Sequence, residues 1–215
     1  QISGIAGGHL DGETMNKLID ARLREELKSG VQTIQYQINT LMTTNGQSPF
    51  VTLFLNLDKD DEYLEENAMI VEEILRQRLE GIKNEKGVYV TPAFPKLIYV
   101  LDEHNCLKGG KYDYITKLAV ECSSKRLYPD YISAKQMRAT YQGNVFSCMG
   151  CRSFLSPWKD ENGNFKFEGR FNQGVVSINL PQIGILANKD EDAFWKLFDE
   201  RLELCFEALI VRHNA

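Results

Sequence analysis

The chain has 215 residues, of which 43% are hydrophobic and 26% charged, a composition typical of a globular domain and unlike that of a disordered chain. Its formal net charge of −5 argues against a general affinity for nucleic acid or for an anionic membrane surface. No apolar run approaches the roughly 18 to 20 residues of a membrane span. Five cysteines are too few for a disulfide scaffold, so we expect a reducing cytoplasm. The start at Gln1 rather than Met predicts a piece of a longer polypeptide.

The hydrophobic pattern predicts helices and strands in alternation. Four segments in which apolar residues step by three and four predict helices: 11–41, 62–83, 112–126 and 191–211. The first of these helices is either continuous or divided near Gly30, because a glycine is unfavourable inside a helix. Three short apolar runs predict buried strands: 50–57, 96–101 and 175–180, the last ending at Pro181. Strands that alternate with helices need crossover connections, so we expect an α/β fold with parallel neighbours and a single domain over 1–215.

The stretch from Tyr128 to Asn172 departs from this alternation. It shows only a short helical pattern near 134–138, and a long segment of this kind inside a compact domain is typical of a functional loop. Cys148 and Cys151 lie within it as a C-x-x-C pair. We therefore expect chemistry in this stretch.

The spacing of the two cysteines allows three interpretations. Half of a zinc site would need further ligands, and the rest of the chain offers only scattered cysteines and three single histidines. A thioredoxin-like redox pair should begin a helix directly after a strand, whereas this pair lies deep in the predicted loop with Gly150 between the thiols. Two buried thiols that pack as small apolar groups are the third interpretation. The sequence has no dinucleotide-binding, P-loop or nucleophile-elbow motif.

Several longer sequence segments, taken in chain order, are more specific than any single motif. They are 36–41 with 43–52, then 94–99, 121–130, 149–155 and 169–181, which include FPKLIY, MGCRSFL and GRFNQGVVSINLP. This set resembles the catalytic subunit of the anaerobic (class III) ribonucleoside-triphosphate reductases, which are glycyl radical enzymes. The resemblance extends over about residues 30–215 and is loose over 1–30.

The resemblance implies a fold and a reacting group. The chain would be part of a ten-stranded α/β barrel, with a central finger loop at 144–157 and Cys151 at its tip. In the family this cysteine becomes a transient thiyl radical, which removes the 3′ hydrogen of the ribose so that the 2′ hydroxyl can leave. Hydrogen abstraction needs a protonated thiol in the resting state, so the site should be dry and uncharged.

Further site residues follow from the same resemblance. Asn172, 21 residues after Cys151, matches the asparagine beside the ribose hydroxyls, and its amide can donate and accept hydrogen bonds without charge. Met149 matches the methionine of members that take their electrons from formate, so formate is the expected reductant. Gln47 and Ser48 are expected in a loop near the substrate.

The resemblance also implies cofactors and partners. The substrate would be a ribonucleoside triphosphate, the effectors would be ATP and deoxynucleoside triphosphates, and a radical S-adenosylmethionine enzyme would install the glycyl radical. The glycyl radical loop and the zinc site of the family do not occur in this sequence, and no metal site is assigned to it. We therefore expect the polypeptide alone to be inactive. The region 11–41 corresponds broadly to the part of the family that forms a homodimer.

Two other functions remain open. Another glycyl radical enzyme, such as a pyruvate formate-lyase-like acyl transferase, would share the barrel and the finger loop but favour adjacent cysteines at the tip. A zinc-stabilised interaction module would instead bind metal at Cys148 and Cys151. Stoichiometric zinc would favour the module and count against a radical cysteine.

Overall fold

The computed structural model describes residues 11–42, 46, 48–149, 153–155, 157–169 and 174–214. The chain divides into two compact units, Gln1–Ser156 and Pro157–Ala215. The first unit contains α1 (Gly12–Thr40), β1 (Thr52–Leu55), α2 (Leu64–Glu80), β2 (Ile82–Lys83), β3 (Tyr89–Val90), β4 (Lys96–Leu101), α3 (Glu103–Cys106), α4 (Asp113–Arg126), β5 (Asp130–Ser133) and α5 (Ala134–Thr140). The second contains β6 (Trp158–Lys159), β7 (Phe165–Lys166), α6 (Leu180–Ala187) and α7 (Glu191–Asn214).

A three-stranded parallel sheet organises the first unit, which confirms the predicted α/β class. The strand order is β1-β4-β5, with Thr52 opposite Lys96 and Ile98 opposite Asp130. Each parallel pair is joined by a crossover that contains a helix, as the alternation of strands and helices predicted.

The central strand β4 is buried on both faces. Leu97 and Tyr99 point to one face and pack in the main core, which also contains Leu75 of α2 and Ile115 of α4. Ile98 and Val100 point to the other face, because side chains alternate along a strand, and they are equally buried. Burial on both faces is typical of a parallel sheet, and it explains why the sequence of this strand is a nearly continuous run of apolar residues.

Helix α1 is continuous through Gly30, which settles the alternative left open by the sequence. It begins after Asp11, whose carboxylate accepts a hydrogen bond from the Thr14 backbone N–H (2.8 Å), a helix-capping contact. Only Val31 and Ile38 on this helix are buried. Most of the apolar face that the sequence pattern predicted is therefore exposed.

The stretch 128–172 has more regular structure than predicted, so the interpretation of it as one long loop is wrong. It contains the third strand of the sheet, β5, then α5 and the antiparallel pair β6 and β7. β5 escaped prediction because it is four residues long, begins and ends with polar residues, and has only every second residue half-buried. Its strand conformation comes from pairing with β4.

The predicted strand at 175–180 is also wrong. In the described part of the chain, 174–179 belongs to no strand, and α6 begins at Leu180. Pro181 starts the helix rather than ending a strand, since the first helical turn does not need the N–H that proline lacks. In the second unit α6 and α7 pack against each other. None of the helices in the described residues is both long and apolar enough to cross a membrane.

Candidate functional site

The predicted site residues fall partly within the structure. Met149 and Ser48 are described, whereas Cys151, Asn172 and Gln47 lie outside the described residues. Among the described residues no hydrogen bond joins Ser48 to Met149. The geometry of the candidate site is therefore known from the described residues on either side of these positions.

The cysteine-bearing segment leaves α5 through a tight turn. Gln142 and Gly143 both have positive φ angles (52° and 85°), a backbone conformation that glycine adopts readily. The Asn144 side-chain amide donates to the Tyr141 carbonyl oxygen at 2.9 Å and holds this turn closed. The Tyr141 N–H donates to the Met137 carbonyl oxygen at 2.8 Å, which ties the turn to the end of the helix.

Three aromatic rings pack together at the base of this segment. Tyr141, Phe146 and Phe154, which we call the aromatic cluster, have ring centroids 4.9 Å apart for Tyr141–Phe146, 5.9 Å for Phe146–Phe154 and 6.4 Å for Tyr141–Phe154. Phe146 is 5% exposed and Phe154 is 39% exposed. The cluster therefore joins the part of the chain that precedes the cysteines to the part that follows them.

Cys148, the first of the two cysteines, lies in the described part of this segment. Cys148 is buried and Met149 is half-buried. The Met149 N–H donates to the Ser153 carbonyl oxygen at 2.8 Å, so the residues on either side of 150–152 are hydrogen bonded to each other. From Asn144 to Leu155 the only charged residue in the sequence is Arg152. Cys148 therefore lies in a buried and largely apolar part of this segment.

Ser48 is exposed and precedes β1, so it lies toward the amino-terminal edge of the parallel sheet. Two residues further along the chain, the ring of Phe50 packs edge-on against Phe94, with centroids 4.8 Å apart. Phe94 belongs to the loop that leads into β4, and its carbonyl oxygen accepts a hydrogen bond from the Asn39 side chain at 3.1 Å. The two loops that enter β1 and β4 are thus in contact at this edge.

A buried arginine, which the sequence analysis missed, holds the same loop. Arg78 of α2 is 2% exposed and donates to the carbonyl oxygens of Pro92 (2.8 Å) and Pro95. Its guanidinium also lies 5.8 Å from the ring centroid of Tyr128. Burial lowers the pKa of Arg78. The signal was present, because Arg78 continues the buried stripe of α2 three residues after Leu75.

A second polar group lies at the opposite, carboxyl-terminal edge of the sheet. Asp102, directly after β4, accepts a hydrogen bond from Arg138 of α5 at 2.6 Å, and this contact holds the pKa of Asp102 below its ordinary value. His104 Nδ1 lies 3.9 Å from the same carboxylate. The buried His104 Nε2 has no hydrogen-bond partner among the described residues. This group fastens α5, and hence the start of the cysteine-bearing segment, to the sheet.

Among the described residues, no group of three or more His, Cys, Asp and Glu side chains could hold a metal ion. Cys122 is buried in α4, and burial raises the pKa of its thiol to about 11. Cys106 is exposed. Neither thiol belongs to the aromatic cluster or its segment.

The fold defines the class of the protein, which is a mixed α/β protein built on a parallel sheet. A family model described as anaerobic ribonucleoside-triphosphate reductase matches residues 10–215. The chain therefore belongs to that family, and the resemblance seen in the sequence phrases is confirmed.

Curated relatives carry the same name. The protein named anaerobic ribonucleoside-triphosphate reductase from Escherichia coli (strain K12) is 44% identical over 195 residues, which is 90% of this chain and 26% of the relative. Its namesake from Enterobacteria phage T4 is 42% identical over 198 residues, which is 89% of this chain and 32% of the relative. The chain thus spans between about a quarter and a third of the length of the curated relatives it matches.

Proposed function

We propose that this chain is part of the catalytic subunit of a reductase that converts ribonucleoside triphosphates to 2′-deoxyribonucleoside triphosphates by a radical mechanism. The observation that carries the proposal is the family match over residues 10–215. It includes the phrase Met149-Gly150-Cys151, which favours a reductase over a formate-lyase-like enzyme with adjacent cysteines.

Cys151 is the reacting group in this proposal. As a thiyl radical its sulfur takes a hydrogen atom from C3′ of the ribose, which re-forms the S–H bond and leaves the unpaired electron on carbon. The 2′ hydroxyl can then take up a proton and leave as water. Formate would supply the two electrons of the reduction and be oxidised to carbon dioxide, after which the Cys151 S–H returns a hydrogen atom to C3′ and the thiyl radical is restored. The oxidising equivalent that makes the thiyl radical would come from the glycyl radical of the family, on a segment outside this chain. The buried Phe146 and Cys148 on the same segment support a resting thiol that stays protonated.

The other site residues assist this chemistry. Asn172 binds the ribose hydroxyls through its neutral amide, and Met149 lies beside the reacting thiol where formate delivers electrons. Gln47 and Ser48 contact the substrate from the loop that enters β1. The exposed position of Ser48 leaves its hydroxyl available for such a contact.

The barrel and its finger loop are the architecture we propose around these residues. β1, β4 and β5 would be three of the ten strands, and the burial of both faces of β4 supports a sheet that is closed around a filled interior. The finger loop would be 144–157. The hydrogen bond between Met149 and Ser153 and the aromatic cluster support a segment that runs out and returns.

The partners are proposed on the same basis. ATP and deoxynucleoside triphosphates would act as effectors, a radical S-adenosylmethionine enzyme would activate the subunit, and the location would be cytoplasmic. Exposed apolar side chains on α1 support a homodimer formed through that helix: Leu18, Ile19 and Leu23. The chain by itself would have no turnover.

The test compares two cysteines three residues apart in the longer subunit that contains this chain. After anaerobic activation with S-adenosylmethionine, with formate and a ribonucleoside triphosphate as substrates, we expect the unmodified subunit and Cys148→Ala to form deoxynucleotide. We expect Cys151→Ala to form none while it keeps the glycyl radical signal in electron paramagnetic resonance. Turnover by Cys151→Ala contradicts the proposal. Stoichiometric zinc that is lost in both variants would favour the interaction module instead.

A further inference from the structure

We infer that the aromatic cluster sets the position of the reacting thiol by clamping the two limbs of the finger loop. Tyr141, Phe146 and Phe154 act as positioning residues, because none of them has to touch the substrate. The inference rests on the proposed function in one respect, which is that Cys151 is the group that must be positioned.

The clamp is a closed triangle of rings. Phe146 lies on the outgoing limb, Phe154 lies on the returning limb, and Tyr141 lies at the end of α5. Each ring contacts the other two, with centroid separations between 4.9 and 6.4 Å. Two of the three pairs meet edge to face, at 71° and 85°, an arrangement that aromatic pairs prefer. A limb that moves away from the cluster therefore loses two ring contacts at once.

A hydrogen bond restrains the loop beyond the cluster. The Met149 N–H donates to the Ser153 carbonyl oxygen at 2.8 Å, three residues further along than Phe146 on one limb and one residue before Phe154 on the other. Covalent geometry keeps the Cα atom of Cys151 within about 7.6 Å of the Cα atom of Met149, because only two peptide units separate them. Since Cys151 is the middle residue of the short loop that this hydrogen bond closes, we expect release of Met149 to widen the range of positions open to Cys151.

The third ring connects the clamp to the parallel sheet. α5 starts directly after β5, and its residues Ala134 and Met137 are buried. Arg138 of the same helix is bound to Asp102 at the end of β4. Tyr141 follows on from this anchored helix, so its ring relates the loop to the sheet rather than to the loop alone.

Rings suit this task for physical reasons. An aromatic side chain has only two rotatable bonds and presents a large rigid surface, and it carries no charge that would stabilise a thiolate nearby. Tyr141 joins the cluster through contacts of its ring with the rings of Phe146 and Phe154. We therefore expect the ring of Tyr141, and not its hydroxyl, to matter.

The test uses the activated longer subunit and three variants in the cluster. We expect Tyr141→Leu and Phe154→Leu to lower kcat by at least about tenfold, since a displacement of about 1 Å at a reacting group can cost roughly 100-fold. KM for the ribonucleoside triphosphate and the glycyl radical signal should stay within about twofold of the unmodified subunit, because binding and activation are not affected. Tyr141→Phe should retain kcat. Phe165→Leu is the control, since Phe165 pairs with Phe167 in the second unit.

A second measurement keeps the inference testable if a variant folds poorly. In the 215-residue chain, hydrogen exchange at the Met149 amide should be slow and should accelerate in Phe154→Leu but not in Phe165→Leu. Unchanged kcat in Tyr141→Leu and Phe154→Leu, together with unchanged exchange in Phe154→Leu, overturns the clamp. A loss of kcat in Tyr141→Phe equal to that in Tyr141→Leu also overturns it, because the hydroxyl would then be the active group. Absence of turnover in the unmodified subunit contradicts the proposed function, while the exchange measurement still decides about the clamp.

Discussion

Replacement of Arg78 by methionine should destabilise the first unit strongly. Arg78 is 2% exposed and its guanidinium donates to the carbonyl oxygens of Pro92 and Pro95. Methionine has a similar length and is apolar, so it refills most of the space but leaves both carbonyl oxygens buried without a donor. The loop that enters β4 would lose its attachment to α2.

The expected loss in the free energy of unfolding is about 3 kcal/mol. A hydrogen bond from a charged donor contributes about 1.5–3 kcal/mol, so two such bonds give about 3–6 kcal/mol. Removal of a buried charge recovers part of this, since burial disfavours the charged guanidinium and lowers the pKa of Arg78. We therefore take the lower end of the range, which is still a large share of the roughly 5–15 kcal/mol that stabilise a typical domain.

Arg76→Met is the matched control on the same helix. Arg76 pairs with Glu72 at 2.6 Å; the Arg76 side chain is 59% exposed and that of Glu72 is 11% exposed. Since the Glu72 carboxylate loses its cation, we expect Arg76→Met to cost up to about 1.5 kcal/mol, between the cost of an exposed ion pair and that of a charged hydrogen bond. The control removes the same charge and introduces the same side chain, so the difference between the two variants gives a lower bound on the contribution of the buried hydrogen bonds.

Urea unfolding followed by far-ultraviolet circular dichroism measures both variants, and hydrogen exchange at the amides of β4 localises the effect. Both tryptophans, Trp158 and Trp195, lie in the second unit. Their fluorescence therefore reports on the unit that is not mutated. If Arg78→Met and Arg76→Met differ by less than about 0.5 kcal/mol, the hydrogen bonds of Arg78 do not stabilise the loop and the reasoning is refuted.

Three other outcomes test the electrostatics, thiol burial and strand pairing. Asp102→Asn should cost about 1–2 kcal/mol at pH 7, because the carboxylate loses its charged bond to Arg138. Since Arg138 lowers the pKa of folded Asp102, this stabilisation is present above the unfolded-state pKa of about 3.9 and is lost as the pH falls through the folded-state pKa. The urea midpoints of variant and parent should therefore converge below pH 4, and a constant gap would contradict the assignment. At pH 8 iodoacetamide should label the exposed Cys106 but not Cys122, because the Cys122 pKa of about 11 leaves only roughly 0.1% of it as thiolate. Peptide mass spectrometry measures the labelling, and equal labelling of the two cysteines would contradict the burial of the Cys122 thiol. Amides of 175–179 should exchange quickly in this chain and slowly in the longer subunit, where a barrel strand would pair with them; fast exchange in both argues against the barrel.

The elements that the sequence predicted well are those whose pattern is complete within one segment. β4 has the predicted bounds, Lys96–Leu101, because burial on both faces makes all of its residues apolar except the first. α2 ends at Glu80, three residues before the predicted end, because Gly81 has a φ of 88° and a side chain there would lie 2.7 Å from the Val90 carbonyl oxygen. The residues after it pair with β3 instead. That contact is made with a segment the local pattern does not include.

For the site as well, the sequence predicted what depends on neighbouring residues and missed what depends on contacts with distant ones. The C-x-x-C spacing left three interpretations open because spacing says nothing about burial, and the role proposed for Cys151 depends instead on the longer sequence around Met149. Arg78 was missed although a charge in a buried stripe is visible in the sequence, because its partners are backbone carbonyl oxygens from a loop 14 and 17 residues away. Every residue has a backbone carbonyl oxygen, so the sequence does not indicate which of them will accept such a hydrogen bond.

The segment 174–179 shows why a strand cannot be inferred from one segment alone. Its residues alternate between half-buried and exposed along the chain, which is the burial pattern of a strand with one covered face. A strand also needs a neighbour that accepts and donates its backbone hydrogen bonds, and the described residues pair no neighbour with this segment. The sequence thus predicted the side-chain pattern correctly and the strand wrongly, since only the first is a local property. The same distinction applies to β5, which has the same alternating burial pattern but pairs with β4 in register. Pairing, and not the strength of the pattern, separates the two segments.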